Sequence, residues 1–265
     1  MADLTAQQVI DRIRNKPAAP WKPAETLHAG SPAAKVSGIA ATWAPSLEVL
    51  RRAVAAGKNM VVCKESPFWD RGAASENLRR NPTYQLKEKF IQDNGLTILR
   101  LLDNANGGQP DVAALALAKA LGWEKYRKTA GAQLYSVPGS SLRELSATIR
   151  ARLKIKGIRV IGQPDTPVRT VALTHGFLLV PELQKVLKES NPDAIIAGEP
   201  VEWEAGPYFH DLAASGQKKG MIVIGHEASE EPAMAEAAAW LKTLISEVPV
   251  EFLPAGEPFW VPKKG

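Results

Sequence analysis

Residues 221–231 read MIVIGHEASEE, an apolar run that stops at His226 and is followed four residues later by Glu230. Four apolar side chains in a row before a glycine predict a buried strand. Apolar residues then recur at helical spacing over 232–247, which predicts a helix with Ser229 as its N-cap. The segment is therefore expected to be a junction between a strand and a helix, a common place for ligands in α/β proteins.

His226 and Glu230 are the chemically distinctive residues of this junction. An imidazole and a carboxylate that converge above a sheet edge are suitable ligands for a divalent metal ion. The alternative is structural, because acidic residues in a first helical turn also stabilise the helix dipole and a histidine at a strand end is often only hydrogen-bonded. The motif indicates a metal or catalytic site and leaves this alternative open.

The rest of the chain alternates between strand and helix patterns. This alternation predicts an α/β fold with mainly parallel or mixed sheets. We expect two α/β lobes, an N-terminal lobe over 1–130 and a C-terminal lobe over 131–265. The predicted strands are 36–42, 59–63, 97–102, 133–137, 159–161, 170–174, 194–197, 221–224 and 250–253, and the predicted helices are 4–14, 46–56, 82–94, 112–121, 141–153, 181–190, 208–215 and 232–247.

Composition excludes several classes of protein. The 265 residues carry a net charge of +5 in dispersed basic pairs, so no nucleic-acid partner is expected, although a small anionic molecule remains a candidate. The single cysteine, Cys63, excludes an intrachain disulfide, and its apolar flank favours a buried thiol. There is no apolar run long enough to span a membrane and no secretory signal, so a cytoplasmic location is the default expectation.

Further candidate residues follow other predicted strands. Glu65 could bind metal or act as a general base, or it could lie in an exposed loop. Asp103 begins an oxygen-rich turn that suits hard cations but also suits a plain turn. Glu199, with Glu202 nearby, could form a substrate-binding rim or a solvated loop, and His175 could position a substrate or cap a turn. The phosphate loop, the dinucleotide-binding glycine motif and the nucleophile elbow are all missing from the sequence.

Taken together, these segments resemble the Nif-three-like family, some of whose members are labelled type-two GTP cyclohydrolase-like or dinuclear-metal-centre hexameric proteins. The resemblance covers nearly the whole chain, and Gly225-His226 with Glu230 is its most specific match. It implies a fold of two intertwined, topologically related α/β lobes with mixed sheets, and assembly of the chain with itself into a hexamer. The other matching segments are 21–32, 36–40, 53–59 and Gly198-Glu199.

The resemblance also shows where this chain departs from the family. Family members hold two metals with a His-His-Pro turn, a His-x-x-x-Asp turn and the Gly-His-x-x-x-Glu element. Here Lys64 and Glu65 fall at the two histidines, and Leu102 and Asn106 fall at the second turn, where Asp103 offers a displaced carboxylate. The metal ligands that remain by this comparison are Glu65, Asp103, His226 and Glu230.

Four such ligands imply one divalent ion, zinc, manganese or magnesium, rather than two, or none at all. Lys64 disfavours a second cation and could instead pair with a carboxylate. One hypothesis is a metal-dependent hydrolase in which Glu65 or Glu230 handles protons and the substrate is small and phosphorylated or nucleotide-like. Its rim would include Lys64, Glu199, Glu202 and His175. The alternative is a noncatalytic binding or regulatory scaffold with a degenerate metal site.

Overall fold

The computed structural model is a mixed α/β protein, which confirms the predicted fold class. It divides into two compact units, and each unit consists of two separate chain segments. The first unit comprises Met1–Pro110 and Met234–Ala255, and the second comprises Asp111–Ala233 and Gly256–Gly265. The predicted lobes, 1–130 and 131–265, are continuous in sequence and differ from these ranges. The division into those two lobes stays a prediction. The residues described are 4–17, 19–24, 27–69, 75–103, 111–128 and 133–262.

The first unit is organised around a five-stranded sheet with the order β1-β4-β3-β2-β12. Strands β4, β3, β2 and β12 are parallel, and β1 pairs with β4 in the antiparallel sense. Every residue of β2 and β3 is buried, as expected for central strands covered on both faces. The elements of this unit are α1 (Ala6–Arg14), β1 (Trp21–Pro23), β2 (Ile39–Thr42), α2 (Leu47–Ala55), β3 (Met60–Cys63), α3 (Glu76–Arg79), α4 (Pro82–Asp93), β4 (Thr97–Asp103) and β12 (Val250–Phe252).

The second unit has its own five-stranded sheet, with the order β5-β7-β9-β11-β6. Its three central strands are parallel, and both outer strands are antiparallel to their neighbours. A short parallel pair, β8 with β10, forms separately. The elements are α5 (Val112–Ala120), β5 (Leu134–Ser141), α6 (Leu142–Leu153), β6 (Arg159–Ile161), β7 (Pro167–Leu173), β8 (Phe177–Leu178), α7 (Val180–Ser190), β9 (Ala194–Ala197), β10 (Glu199–Pro200), α8 (Glu202–Ala214) and β11 (Gly220–Val223), with a 3-10 turn at Glu124–Tyr126.

Local sequence signals account for most helix starts. Ser141 caps α6 and forms a capping box with Glu144, in which the Glu144 carboxylate also accepts the Ser141 backbone N–H at 2.9 Å. Strands β8 and β10 were not predicted because two residues are too few to display an alternating pattern, and β1 was not predicted because it lies in a proline-rich segment. Among the described helices, none combines the length and the apolar character that crossing a membrane requires.

The predicted N-cap at Ser229 is wrong. Helix α9 spans His226–Leu244, so it begins three residues before Ser229 and immediately after Gly225. Gly225 has φ +94°, a left-handed conformation that lets the chain turn directly from the strand into the helix. Pro232 therefore lies inside α9 rather than at its start.

Candidate metal centre

Three adjacent parallel strands of the second unit end at the same edge of its sheet. His175 follows β7, Glu199 follows β9 and His226 follows β11. Because the carboxyl ends of parallel strands meet at one edge, these three side chains emerge together although they are distant in sequence. The sheet topology thus forms a site from residues that the strand-end pattern had identified separately.

Close backbone packing holds the three strand ends in register. The Gly225 N–H donates to the Gly198 carbonyl at 3.1 Å, and the Glu199 N–H donates to the Gly176 carbonyl at 2.8 Å. A Cβ atom at Gly198 would lie 2.5 Å from the Gly176 carbonyl oxygen, so only glycine allows this approach. The positions of the neighbouring histidines and of Glu199 therefore depend on these glycines.

Ser229 ties the helix to the loop after β7. Its hydroxyl donates to the His226 carbonyl at 2.6 Å and accepts the Gly176 N–H at 3.0 Å. The side chain is fully buried, so these hydrogen bonds replace contacts with water. Ser229 therefore forms a contact between α9 and the loop after β7, whereas the sequence predicted that it would cap a helix.

His226 lies between two carboxylates. Its Nδ1 is 2.8 Å from Glu199 Oε2, and its Nε2 is 3.2 Å from Oε2 of Glu230. Glu230 is buried, with 5% of its surface exposed. A carboxylate that holds one ring nitrogen fixes the orientation of the imidazole and leaves the other nitrogen to face a ligand, which is the usual arrangement of a metal-binding histidine.

His175 also lies between two carboxylates. Its Nδ1 is 3.2 Å from Oε1 of Glu230, and its Nε2 is 3.0 Å from both carboxylate oxygens of Asp111. The result is a continuous chain of alternating acids and histidines within one unit. We call it the acid–histidine chain, and its members in order are Asp111, His175, Glu230, His226 and Glu199.

The acid–histidine chain shifts the proton equilibria of its members. Burial alone lowers the pKa of His175, but hydrogen bonds to Asp111 and Glu230 and the charges of both outweigh burial and raise the pKa to about 9. Burial raises the pKa of Asp111, yet the contact with His175 and two backbone N–H groups bring it below its usual value. Next to the chain, burial and the charges of Glu231 and Glu257 raise the pKa of Glu227 to about 7.

Sequence reasoning identified four of the five members of the acid–histidine chain. His226 and Glu230 were predicted as metal ligands, and Glu199 and His175 as rim residues. Asp111 was missed, because an aspartate before a helix has an ordinary role that it also fulfils here, as the cap of α5 through a 3.0 Å hydrogen bond from the Ala114 N–H.

Lys64 and the other two predicted metal ligands, Glu65 and Asp103, belong to the first unit. Glu65 and Lys64 follow β3 in the first unit, where both backbone N–H groups donate to the Trp43 carbonyl. Asp103 ends β4, but its side chain lies outside the described part of the chain.

Two more residues complete this comparison. Glu202, predicted for the rim, lies in the first turn of α8 and pairs with Arg159. Asn106, which falls at the family's aspartate position, is outside the described residues.

Two five-stranded mixed sheets, with an acid–histidine chain at the strand ends of the second sheet, define a mixed α/β protein with a candidate metal site. Comparison with known proteins gives the family. The family model for Duf34/NIF3, NGG1p interacting factor 3, matches residues 8–258, so the chain belongs to this family. No curated protein matches the chain.

Solved structures share the fold at low sequence identity. The hypothetical protein SA1388 of Staphylococcus aureus is 15% identical, with a TM-score of 0.72 over 98% of this chain and 100% of the other. A Bacillus cereus protein related to NIF3 is 12% identical, with a TM-score of 0.73 over 98% and 100%. Reduced HcgD from Methanocaldococcus jannaschii is 15% identical, with a TM-score of 0.63 over 95% and 98%.

Proposed function

We propose that this chain binds one divalent metal ion, with His226 Nε2 and Glu230 Oε2 as ligand atoms. The supporting observation is the arrangement around His226. Glu199 accepts the proton of Nδ1, so Nε2 of the neutral imidazole presents a lone pair toward a carboxylate oxygen 3.2 Å away. Two acceptors at this distance attract each other only when a cation, either a proton or a metal ion, lies between them.

The net charge of the acid–histidine chain also favours one divalent ion. Both nitrogens of His175 face carboxylates, so this ring carries two protons and a positive charge. Three carboxylates and one imidazolium leave two net negative charges when His226 is neutral. One zinc, manganese or magnesium ion neutralises them, and a second ion would leave an uncompensated positive charge.

The ligand types fit a borderline or hard cation. An imidazole nitrogen with a carboxylate oxygen is typical of zinc and manganese sites, and carboxylates alone suit magnesium. Glu65 and Asp103 of the first unit stay predicted additional ligands, because the family resemblance implies them. We expect Glu65→Gln to weaken binding less than Glu230→Gln.

Metal titration tests this proposal directly. Chelator-treated protein would be titrated calorimetrically with zinc, manganese and magnesium, and bound metal would be counted by elemental analysis. We expect one ion per chain, and we expect His226→Ala to reduce the affinity by about 100-fold or more. The matched control is His210→Ala, because the His210 side chain is 81% exposed on α8 and lies next to Asp211, outside the acid–histidine chain. Equal binding by wild type and His226→Ala would contradict the proposal.

Metal-dependent hydrolysis is the second candidate function. The observation that favours it is partial solvent access, since the His226 side chain is 25% exposed and that of Glu199 is 58% exposed. Catalytic metal sites keep such an open position for water and substrate, and a bound divalent ion supplies an activated water. Within this chain, Glu199 would fix the imidazole and Glu230 or Glu65 would accept a proton.

The substrate class is proposed from the family resemblance together with the charge of the protein. A small phosphorylated or nucleotide-like molecule is an anion and suits a chain of net charge +5. A screen of phosphate esters and nucleotides with metal-loaded protein tests it, and turnover should disappear in His226→Ala but persist in His210→Ala. Metal binding with no turnover of any substrate would instead support a noncatalytic binding or regulatory scaffold.

We also propose, from the family resemblance, that the chain assembles with itself into a hexamer. Light scattering tests this proposal.

A further inference from the structure

We propose that His175, held by Asp111, is a positioning residue that fixes the orientation of the Glu230 carboxylate toward the metal. This inference rests on the proposed metal site. It assigns a role in metal binding to two residues outside the ligand set, and one of them, Asp111, carries no sequence motif.

The first step concerns the two oxygens of Glu230. Oε2 faces His226 Nε2 at 3.2 Å, and Oε1 faces His175 Nδ1 at the same distance. A donor on Oε1 holds the carboxylate plane and leaves the lone pairs of Oε2 for a metal ion. This donor restricts rotation of the carboxylate about its last bond, so less conformational entropy is lost when the ion binds.

The second step concerns the orientation of His175 itself. The ring could turn about its side-chain bonds, but Nε2 lies 3.0 Å from both oxygens of Asp111. Asp111 is in turn held by the Ala114 N–H at the start of α5. The carboxylate of a helix cap therefore orients a histidine, which orients a ligand.

His175 has two opposite effects on metal binding. A positive charge on His175 repels a metal ion, whereas its hydrogen bond preorganises a ligand, and the two effects predict opposite results when the ring is removed. Gly176 limits the space beside the carboxylate, since a Cβ there would lie 2.8 Å from Oε1 of Glu230. The Asp111 carboxylate, 3.0 Å from Nε2, balances the positive charge of His175, so we expect orientation to dominate over charge.

Two amide substitutions distinguish the contributions of the two ring nitrogens of His175. In His175→Asn, the side-chain N–H₂ lies near the position of Nδ1 and can still donate to Glu230, while the contact with Asp111 is lost. In His175→Gln, the amide reaches the position of Nε2 and can contact Asp111 but not Glu230. His175→Ala removes both donors.

The experiment measures the zinc and manganese affinity of these variants by calorimetry on the full chain. We expect His175→Ala and His175→Gln to bind about 10-fold or more weakly, and His175→Asn to recover most of the affinity. Asp111→Asn preserves the helix cap, because asparagine caps as well as aspartate, and we expect an intermediate loss. Thermal unfolding of each metal-free variant verifies folding, and a purely structural role would not distinguish asparagine from glutamine.

The outcomes are distinct from those of the metal proposal. If wild type binds no metal, the proposed function is wrong and this inference is wrong with it. If wild type binds metal and His175→Ala binds equally or more tightly, the metal site stands and the positioning role is refuted. Equal weakening in the asparagine and glutamine variants also refutes it, because the Glu230 contact would then not be the important one.

Discussion

Replacing Gly176 with alanine should damage the metal site more than it damages the fold. Gly176 has φ +62°, and an added Cβ would lie 2.8 Å from Oε1 of Glu230 and 3.6 Å from Nε2 of His226. The carboxylate would have to retreat from 2.8 Å to about 3.4 Å, an ordinary contact distance. A displacement of this size moves a proposed ligand relative to its partner imidazole.

Gly57→Ala is the matched control. Gly57 has φ +68°, nearly the same backbone conformation, and apart from its chain neighbours no atom of the described residues lies within 4 Å of its Cβ position. An alanine in the left-handed region costs about 1 kcal/mol, so this variant measures the backbone strain alone. The further cost at Gly176 comes from weakening hydrogen bonds between charged groups and is about 1–3 kcal/mol.

The assays are urea denaturation and metal titration of the two variants and of wild type. We expect Gly57→Ala to bind metal like wild type and Gly176→Ala to bind about 10-fold or more weakly, with the lower denaturation midpoint of the two. Gly198→Ala should be the most destabilised, because its Cβ would collide with backbone atoms, which cannot rotate away. If Gly176→Ala matches Gly57→Ala in stability and wild type in affinity, the reasoning about a crowded Glu230 carboxylate is wrong.

Three further predictions follow from single side chains. In metal-free protein, wild type should be more stable than His175→Gln by about 3 kcal/mol at most, because folding raises the pKa of His175 to about 9. This difference in stability should be fully present below a pH of about 6.5 and should disappear as the pH rises through about 9. Urea denaturation at a series of pH values measures it. Ser229→Ala should cost about 1–3 kcal/mol, since the Gly176 N–H loses a buried acceptor, whereas Ser215→Ala on an exposed turn should cost under about 0.5 kcal/mol in the same assay. Cys63 is buried with its pKa raised to about 12, so it should react with a thiol reagent only after denaturation, and rapid reaction of the folded protein would contradict this.

The sequence predicted the elements that carry long local patterns. The four apolar residues of 221–224 identified β11 because central parallel strands are apolar throughout, and the predicted helix 141–153 begins at the serine that caps α6. The start of α9 was missed because Ser229 followed by acids looks like a cap, whereas the left-handed Gly225 had already turned the chain. Local chemistry could not distinguish a serine that caps a helix from one inside a helix that bonds a neighbouring loop.

The candidate site was predictable only where strand ends were visible. His175, Glu199 and His226 each follow an apolar run, so the pattern identified them one by one. Their pairing required the strand order, which brings together residues 27 and 55 positions apart. Asp111 is 64 positions from His175 and follows no strand, so no local pattern connects them.

The family resemblance leaves four residues of a larger ligand set, and the contacts of the two that lie in the second unit, His226 and Glu230, change this interpretation. Each of the two residues already has a partner within that unit: Glu199 orients His226, and His175 with Asp111 orients Glu230. A ligand whose second polar atom is held in place loses little freedom on binding, so fewer ligands can hold an ion. The replacement of family histidines by Lys64 and Glu65 is therefore compatible with metal binding, because the orienting contacts that this chain provides lie around the ligands it retains.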